Sequence, residues 1–326
     1  MAEKNSLAKQ RKSAGELLSK YGIYVLFVLL IVILSVTSPK FRTAKNFANV
    51  LIQVSNYALL GVGMSFVIMT GGIDVSVGAT MVVSASVYVL ATQIYGCSEI
   101  VGLLLILLVS VAMGLVNGIA VAYLNMPAFL VTLATQCIGR GLALVFTGGV
   151  SYRNLGASFT FIGKQNFLGL SMMVWVAFLM FVVGFFLMHC TVYGRKVMAV
   201  GGNANAARVS GIAVKKVLLS VYILMGVISG LAGFVTKTRL GSFYANMGEG
   251  MEFMVIAAVV IGGTSMTGGE GTIIGTLVGT LIVGIINNAL NLFGVNADWQ
   301  DVARGLVIFV AVMLDAAKHK LAVNKK

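Results

Sequence analysis

The sequence predicts an all-α, polytopic membrane protein with about ten transmembrane helices, several of them broken by glycines. Three observations carry this. Hydrophobic residues make up 59% of the 326, and 39 glycines add to them. Charged residues are only 10%, where an ordinary soluble domain carries roughly 25%. The charges lie between long uncharged runs instead of being spread through them. Such a composition excludes a soluble globular domain. It also excludes a disordered chain, which is charged and poor in apolar bulk. With two prolines, collagen-like and proline-rich classes are excluded as well.

The uncharged runs define the spans in order. Tyr21 to Pro39, Asn46 to Ile73 and Val75 to Ser98 are the first three. Ile100 to Gly139 is 40 residues without a charge. At ~1.5 Å per residue that is twice a bilayer, and Asn125-Met126-Pro127 divides it into two spans. Gln165 to Gly194 holds the sixth, and Val217 to Thr236 is the seventh. Phe253 to Gly269 and Thr272 to Val295 flank a glycine-rich stretch, and the tenth runs from Val302 to Leu314. Residues 1–20 form a basic tail, 21–318 a single membrane domain with a polar loop at 192–216, and 319–326 a second tail. Nothing at the N-terminus reads as a cleaved signal peptide, so Tyr21 starts a retained span.

The net charge is +13. In a soluble chain this would suggest nucleic acid. Here the positives cluster in the N-terminal tail (Lys4, Lys9, Arg11, Lys12, Lys20), in the loop with Arg195, Lys196, Arg208, Lys215 and Lys216, and in the C-terminal tail. An even number of spans puts both tails and that loop on one side, the cytoplasm. Lys40, Arg42 and Lys45 run against the scheme, which places them outside. Asp298, Asp301 and Trp299 also fall outside, Trp299 as an interfacial anchor. The three cysteines are scattered in apolar runs and form no CxxC, so neither a disulfide framework nor a metal site is implied.

Two stretches break their helices: Thr70-Gly71-Gly72-Ile73-Asp74-Val75-Ser76-Val77-Gly78, and Ile261-Gly262-Gly263 through Gly268-Gly269-Glu270-Gly271. Broken backbone at membrane depth is tolerated only where protein or a water-filled path covers it, and such breaks line transport routes. The two look alike, and Gly114-Leu115-Val116-Asn117 is echoed by Gly284-Ile285-Ile286-Asn287, which hints at duplication. Asp74 reads either as a helix cap, accepting from the amide of Val77 or its neighbour, or as a pathway residue. Arg140 reads as ion-paired or snorkelling. Asn117, Gln136, Asn287 and Asn288 read as glue between helices or as contacts to a hydroxylated substrate. Gly114/Gly118, Gly226/Gly230 and Gly271/Gly275/Gly279 are small-residue repeats, suited to packing within the chain or to a dimer seam.

Catalytic machinery is absent: no HExxH, no GxSxG and no phosphate-cradling GxxxxGK[ST] occurs. The polar loop is more than a connector. Asn203 or Asn205 can cap a short helix through Ala206, Ala207, Arg208 and Val209, and Gly211 can end it. Such a helix suits a groove on another protein, or the surface of anionic lipid.

At this loop, at the stretch Met69 to Gly78, at Ile261-Gly262-Gly263-Thr264 through Gly269-Glu270-Gly271-Thr272, and at Trp299-Gln300 through Arg304-Gly305-Leu306, the chain resembles the permease subunits of ribose-, xylose- and galactose-type bacterial ABC importers. The resemblance implies a bacterial inner-membrane protein paired with a second permease copy, the same or related. It implies a cytoplasmic ATPase with tandem nucleotide-binding domains, which would hold ATP and magnesium. It also implies an extracytoplasmic sugar-binding protein. Asn203 to Gly211 would then be the coupling helix seated in the ATPase, and this chain would bind no cofactor itself. Asn203, Asn205 and Ala206 stand where related loops carry acids, so an ATPase groove with acidic rims would suit this loop. A branched-chain amino acid ABC permease, an ion-coupled secondary transporter and a non-transporting membrane scaffold are the alternatives.

Overall fold

A computed structural model describes residues 22–153, 163 and 165–323. The basic tail at 1–20 and the residues Lys325 and Lys326 lie outside the described residues. All ten uncharged runs contain helix. They are α1 (Gly22–Thr37), α2 (Ala44–Met69), α3 (Val77–Val89), α4 (Glu99–Ala122), α5 (Ala128–Thr147), α6 (Met172–Phe185), α9 (Val214–Leu240), α10 (Met251–Ile261), α11 (Ile273–Leu292) and α12 (Ala297–Val323). Wider π-type turns extend α3 to Ile94 and α6 to Cys190. The polar loop supplies two more helices, α7 (Val192–Gly202) and α8 (Ala204–Val209). Two small antiparallel pairs complete the chain: β1 (Tyr152–Arg153) with β4 (Ser242–Phe243), and β2 (Asn166–Phe167) with β3 (Leu170–Ser171).

Among the described residues, seven helices are long and apolar enough to cross a membrane: α2, extended α3, α4, α5, extended α6, α9 and α11. The eighth predicted span is helical over only part of its length. Only Met251–Ile261 is helical there, and 11 residues rise about 16 Å against a hydrocarbon core of about 30 Å. The remainder, from Gly262, is loop. The tenth helix is longer than its uncharged core. It begins at Ala297, so exposed Trp299 sits in its first turn and not in a connecting loop. Asn296 Oδ1 accepts from Trp299 N at 3.0 Å, which caps that start.

The core is built around α2, which packs against α6, α9, α10 and α11. From Ala58 to Met69 every residue of α2 is buried, so the helix shows no solvent or lipid face there. Polar groups on such a helix need partners. Ser65 Oγ lies 2.6 Å from Thr276 Oγ1, and Thr236 Oγ1 donates to Asn56 Oδ1 at 3.1 Å. Asn46 and Asn288 exchange two amide hydrogen bonds of 3.1 and 3.0 Å, tying the start of α2 to α11. Asn288 is therefore interhelical glue, one of the two readings its position allowed.

The glycine repeats pack within the chain. A Cβ on Gly114 would meet Tyr222 O at 2.5 Å, and one on Gly226 would strike Ser110 O. The crossing of α4 and α9 thus depends on glycine at both surfaces. Gly275 and Gly279 likewise let α11 close on the backbone of α10, at Gly262 O and Ala258 O. The separation of α4 from α5 at Asn125 is as the sequence predicts, with Asn125 in the left-handed region at φ 55°.

Two outcomes follow from this packing. Asn46→Leu strands the Asn288 amide in a buried site and is expected to cost about 1 kcal/mol. The double variant Asn46→Leu/Asn288→Leu should recover most of that loss, read as the unfolding midpoint in detergent. Gly226→Val should be far more damaging, because α4 and α9 would have to part. Size-exclusion chromatography of the solubilised variant should show loss of the monodisperse peak, whereas Gly141→Val, at a site with open space around its Cβ, should leave it unchanged.

Candidate functional site

The break between α2 and α3 is a stitched loop. Gly71 at φ 80° turns the chain out of α2, a conformation that costs glycine little. Thr70, at the end of α2, bonds its hydroxyl to Val67 O at 2.7 Å. Gly72 leaves room for Tyr222 of α9, whose hydroxyl would lie 2.6 Å from a Cβ there. Asp74 is buried and accepts from Ser76 N at 2.8 Å and Ser76 Oγ at 2.6 Å. Asn117 of α4 donates to Ser76 Oγ at 2.9 Å, and Thr135 of α5 donates to Asn117 Oδ1 at 2.6 Å. Thr132 of α5 accepts from Val75 N at 3.2 Å. One hydrogen-bonded line, Asp74–Ser76–Asn117–Thr135, therefore joins the break to two helices. Ser76 is the residue at the start of α3 and makes no side-chain cap bond; Asp74 holds Ser76 in the loop before the helix, and Asn117 links Ser76 to Thr135 of α5.

The second break, from Gly262 to Thr272, is not a copy of the first. Its acid, Glu270, is exposed where Asp74 is buried. Asn287, the counterpart of Asn117, is buried with neither amide atom partnered among the described residues. Gly262 packs on α11 and Gly263 turns the chain at φ 90°. The pair that meets the first break is Gly268-Gly269. Gly269 N donates to Met69 O at 2.9 Å, and a Cβ on Gly268 would lie 2.7 Å from Gly71 N and 3.0 Å from Gly201 Cα. Gly201, in the last turn of α7, would strike Met69 O with any Cβ. Three Gly-Gly pairs, 71–72, 201–202 and 268–269, thus form one backbone junction. The three pairs were readable in the sequence, but their convergence was not.

The loop helix forms as its residues dictate. Asn203, not Asn205, is the cap: its Oδ1 accepts from Ala206 N at 2.9 Å. Asn205 and Arg208 lie on the exposed side, and Gly211 at φ 82° ends the turn. One reading is corrected. Ala207 is only 4% exposed, so its side chain packs into the protein and is not on the exposed side of α8. The apolar tip of α8 is Val209, 90% exposed. Beneath it, α7 is seated by buried Val197 and Val200, and Thr191 Oγ1 caps its start.

Two buried charges escaped the sequence reading, because charges were used to end helices. Lys237 follows the predicted span at Thr236, and Glu252 precedes the one at Phe253. Lys237 is buried in α9 with Nζ 3.5 Å from the centre of the Tyr88 ring, a cation–π contact that desolvation strengthens. Glu252 is 2% exposed, and its Oε1 accepts from Gln136 Nε2 at 2.7 Å. Arg140 makes no salt bridge among the described residues, but its guanidinium approaches the Glu252 carboxylate beside Gly78, and its Nη1 donates to Met247 O at 2.9 Å. Gln136, Arg140, Asn246, Glu249 and Glu252 line a cavity of about 810 Å³ between α5 and the α9–α10 connection.

The comparisons with known proteins agree with this architecture. A family described as branched-chain amino acid transport system, permease component, matches residues 46–312. The ribose import permease protein RbsC of Bacillus subtilis (strain 168) is 40% identical over 303 residues, covering 92% of this chain and 94% of that protein. The L-arabinose ABC transporter permease protein AraH of Azospirillum brasilense is 35% identical, covering 94% of this chain and 91% of that protein. The D-allose transport system permease protein AlsC of Escherichia coli (strain K12) is 36% identical, covering 91% of each. No solved structure matches. A match across residues 46–312, most of the chain, assigns this chain to the branched-chain amino acid transport system permease family.

Proposed function

We propose that this protein is the membrane permease subunit of an ATP-binding-cassette importer for a monosaccharide. Relatives at 35–40% identity over nearly their full length are named for ribose, arabinose and allose, which favours a pentose or hexose over an amino acid. The observation that supports coupling is local: α8 exposes Val209, Asn205 and Arg208, and the helix before it ends in the junction that holds both breaks. A force on α8 reaches the membrane segments through backbone contacts. In this reading a cytoplasmic ATPase with tandem domains binds ATP and magnesium and seats α8. An extracytoplasmic protein delivers the sugar, and a second permease copy, the same or related, completes the pathway. In this reading both termini and α7–α8 face the cytoplasm, an orientation that the clustered Lys and Arg support.

Reconstitution of the permease with its ATPase and binding protein tests this. Uptake of labelled ribose, arabinose or allose into proteoliposomes should require ATP. Uptake driven by an ion gradient alone would sink the ABC assignment, and uptake of leucine in place of any sugar would sink the substrate class. A photo-crosslinker at Val209, the exposed tip, should capture the ATPase. Gly211→Pro should lower uptake about tenfold or more, because proline cannot adopt the positive φ at this position. Membrane insertion of this variant should be unchanged, checked by carbonate extraction.

A further inference from the structure

We propose that the cavity between α5 and the α9–α10 connection binds the sugar during passage, with Glu252, Gln136 and Arg140 contacting its hydroxyls. The proposal rests on the monosaccharide reading above and adds the site.

Four observations converge on it. Glu252 is 2% exposed, yet its Oε2 has no hydrogen-bond partner among the described residues, and neither does Arg140 Nη2. Leaving such groups unbonded in a buried site is costly. Both atoms close on one residue of α3: a Cβ on Gly78 would strike Gly248 O and would lie 2.6 Å from Glu252 Oε2 and 3.0 Å from Arg140 Nη2. Only glycine fits there, so the two polar atoms converge on the first turn of α3 with backbone between them.

The chemistry of the lining selects the ligand. An anion would face Glu249 and Glu252, and a cation would face Arg140. A neutral hydroxyl can donate to the carboxylate and accept from the guanidinium at the same time. Gln136 and Asn246 add amides that do both. The cavity, about 810 Å³, falls within the usual 300–1,000 Å³ for small-molecule sites.

Its position fits passage. Thr132, Thr135, Gln136, Gly139 and Arg140 recur at intervals of three and four along α5, so they share one face. Thr132 and Thr135 hold the α2–α3 break, and Gln136 and Arg140 line the cavity. The break and the cavity are therefore consecutive stretches of one polar stripe.

Cys137 lines the same cavity and supplies a reporter. In the reconstituted importer carrying Cys97→Ser and Cys190→Ser, Cys137 is the sole remaining thiol of this chain. A charged, membrane-impermeant methanethiosulfonate should label it from water. Ribose, arabinose or allose at millimolar concentration, whichever the importer takes up, should slow labelling about tenfold. Glu252→Gln should weaken that protection about tenfold at equal sugar. Gln136→Leu, at a partly exposed site, serves where the Glu252 variant does not assemble. Failure to label Cys137 from water overturns the proposal. So does labelling unaffected by a sugar that the same vesicles import, or protection unchanged in both variants. In these cases sugar uptake persists and the importer assignment stands. Loss of all sugar uptake by the unsubstituted importer would instead overturn the assignment itself.

Discussion

Backbone amides and carbonyls inside a membrane must find partners within the protein, and this structure is organised around the places where its helices fail to provide them. The Met69 carbonyl, at the end of α2, is satisfied by Gly269 N from a loop 200 residues away in sequence. The amides of Val75 and Ser76 are satisfied by Thr132 and Asp74. The Ser76 bond is local, but the Val75 bond and the side-chain line that continues from Ser76 require other helices to stand close. α4 must supply Asn117, and α5 must supply Thr132 and Thr135. The glycine surfaces that bring α4 against α9 serve the same end, since α9 carries Tyr222 to Gly72.

Buried polar groups fall into two classes that differ in completeness. Asn46–Asn288, Ser65–Thr276 and Asn56–Thr236 are satisfied pairs between α2 and its neighbours. Pairs of this kind are worth about 0.6 kcal/mol each on average in membrane proteins, so their larger effect is to fix register. Glu252 and Arg140 are incomplete, each using one polar atom and leaving another without a partner among the described residues. These two sit at the cavity, whereas Asn287, Tyr88, Tyr222 and Thr264, which also leave a buried polar atom without a partner among the described residues, do not.

The helices were legible in the sequence because charge-free runs and bilayer thickness fix them independently. The break at Gly71-Gly72 and the cap at Asn203 were legible for the same reason: the chemistry is local. Glu252 and Lys237 were not, because the rule that found the helices treats every charge as an end. That rule works when a charge meets water and fails when protein supplies the partner. Ala207 misled in a similar way. Its short side chain in a polar loop reads as surface, and only tertiary packing turns it inward. The end of α10 was legible as the break at Gly262-Gly263, although the uncharged run carried the predicted span on to Gly269; glycines in positive φ prevent helix beyond it. Asn287 was matched to Asn117 by pattern, yet a repeat in sequence does not guarantee the same partner in space.

The junction of the three glycine pairs has a mechanical consequence. Contact elsewhere in the core runs through side chains, which can absorb a displacement of a few tenths of an ångström by changing rotamer. At Gly201, Gly268 and Gly71 there are no side chains, and backbone meets backbone directly. A movement of the last turn of α7 must therefore displace either the Met69 carbonyl or the Gly268-Gly269 turn, because nothing between them yields. Contact alone does not make coupling; an element with two arrangements is needed. The glycine turns meet that requirement, since positive and negative φ are nearly equal in energy for glycine alone. The same residues that allow the close approach thus permit the change of shape, and a larger side chain at any one of them would remove both.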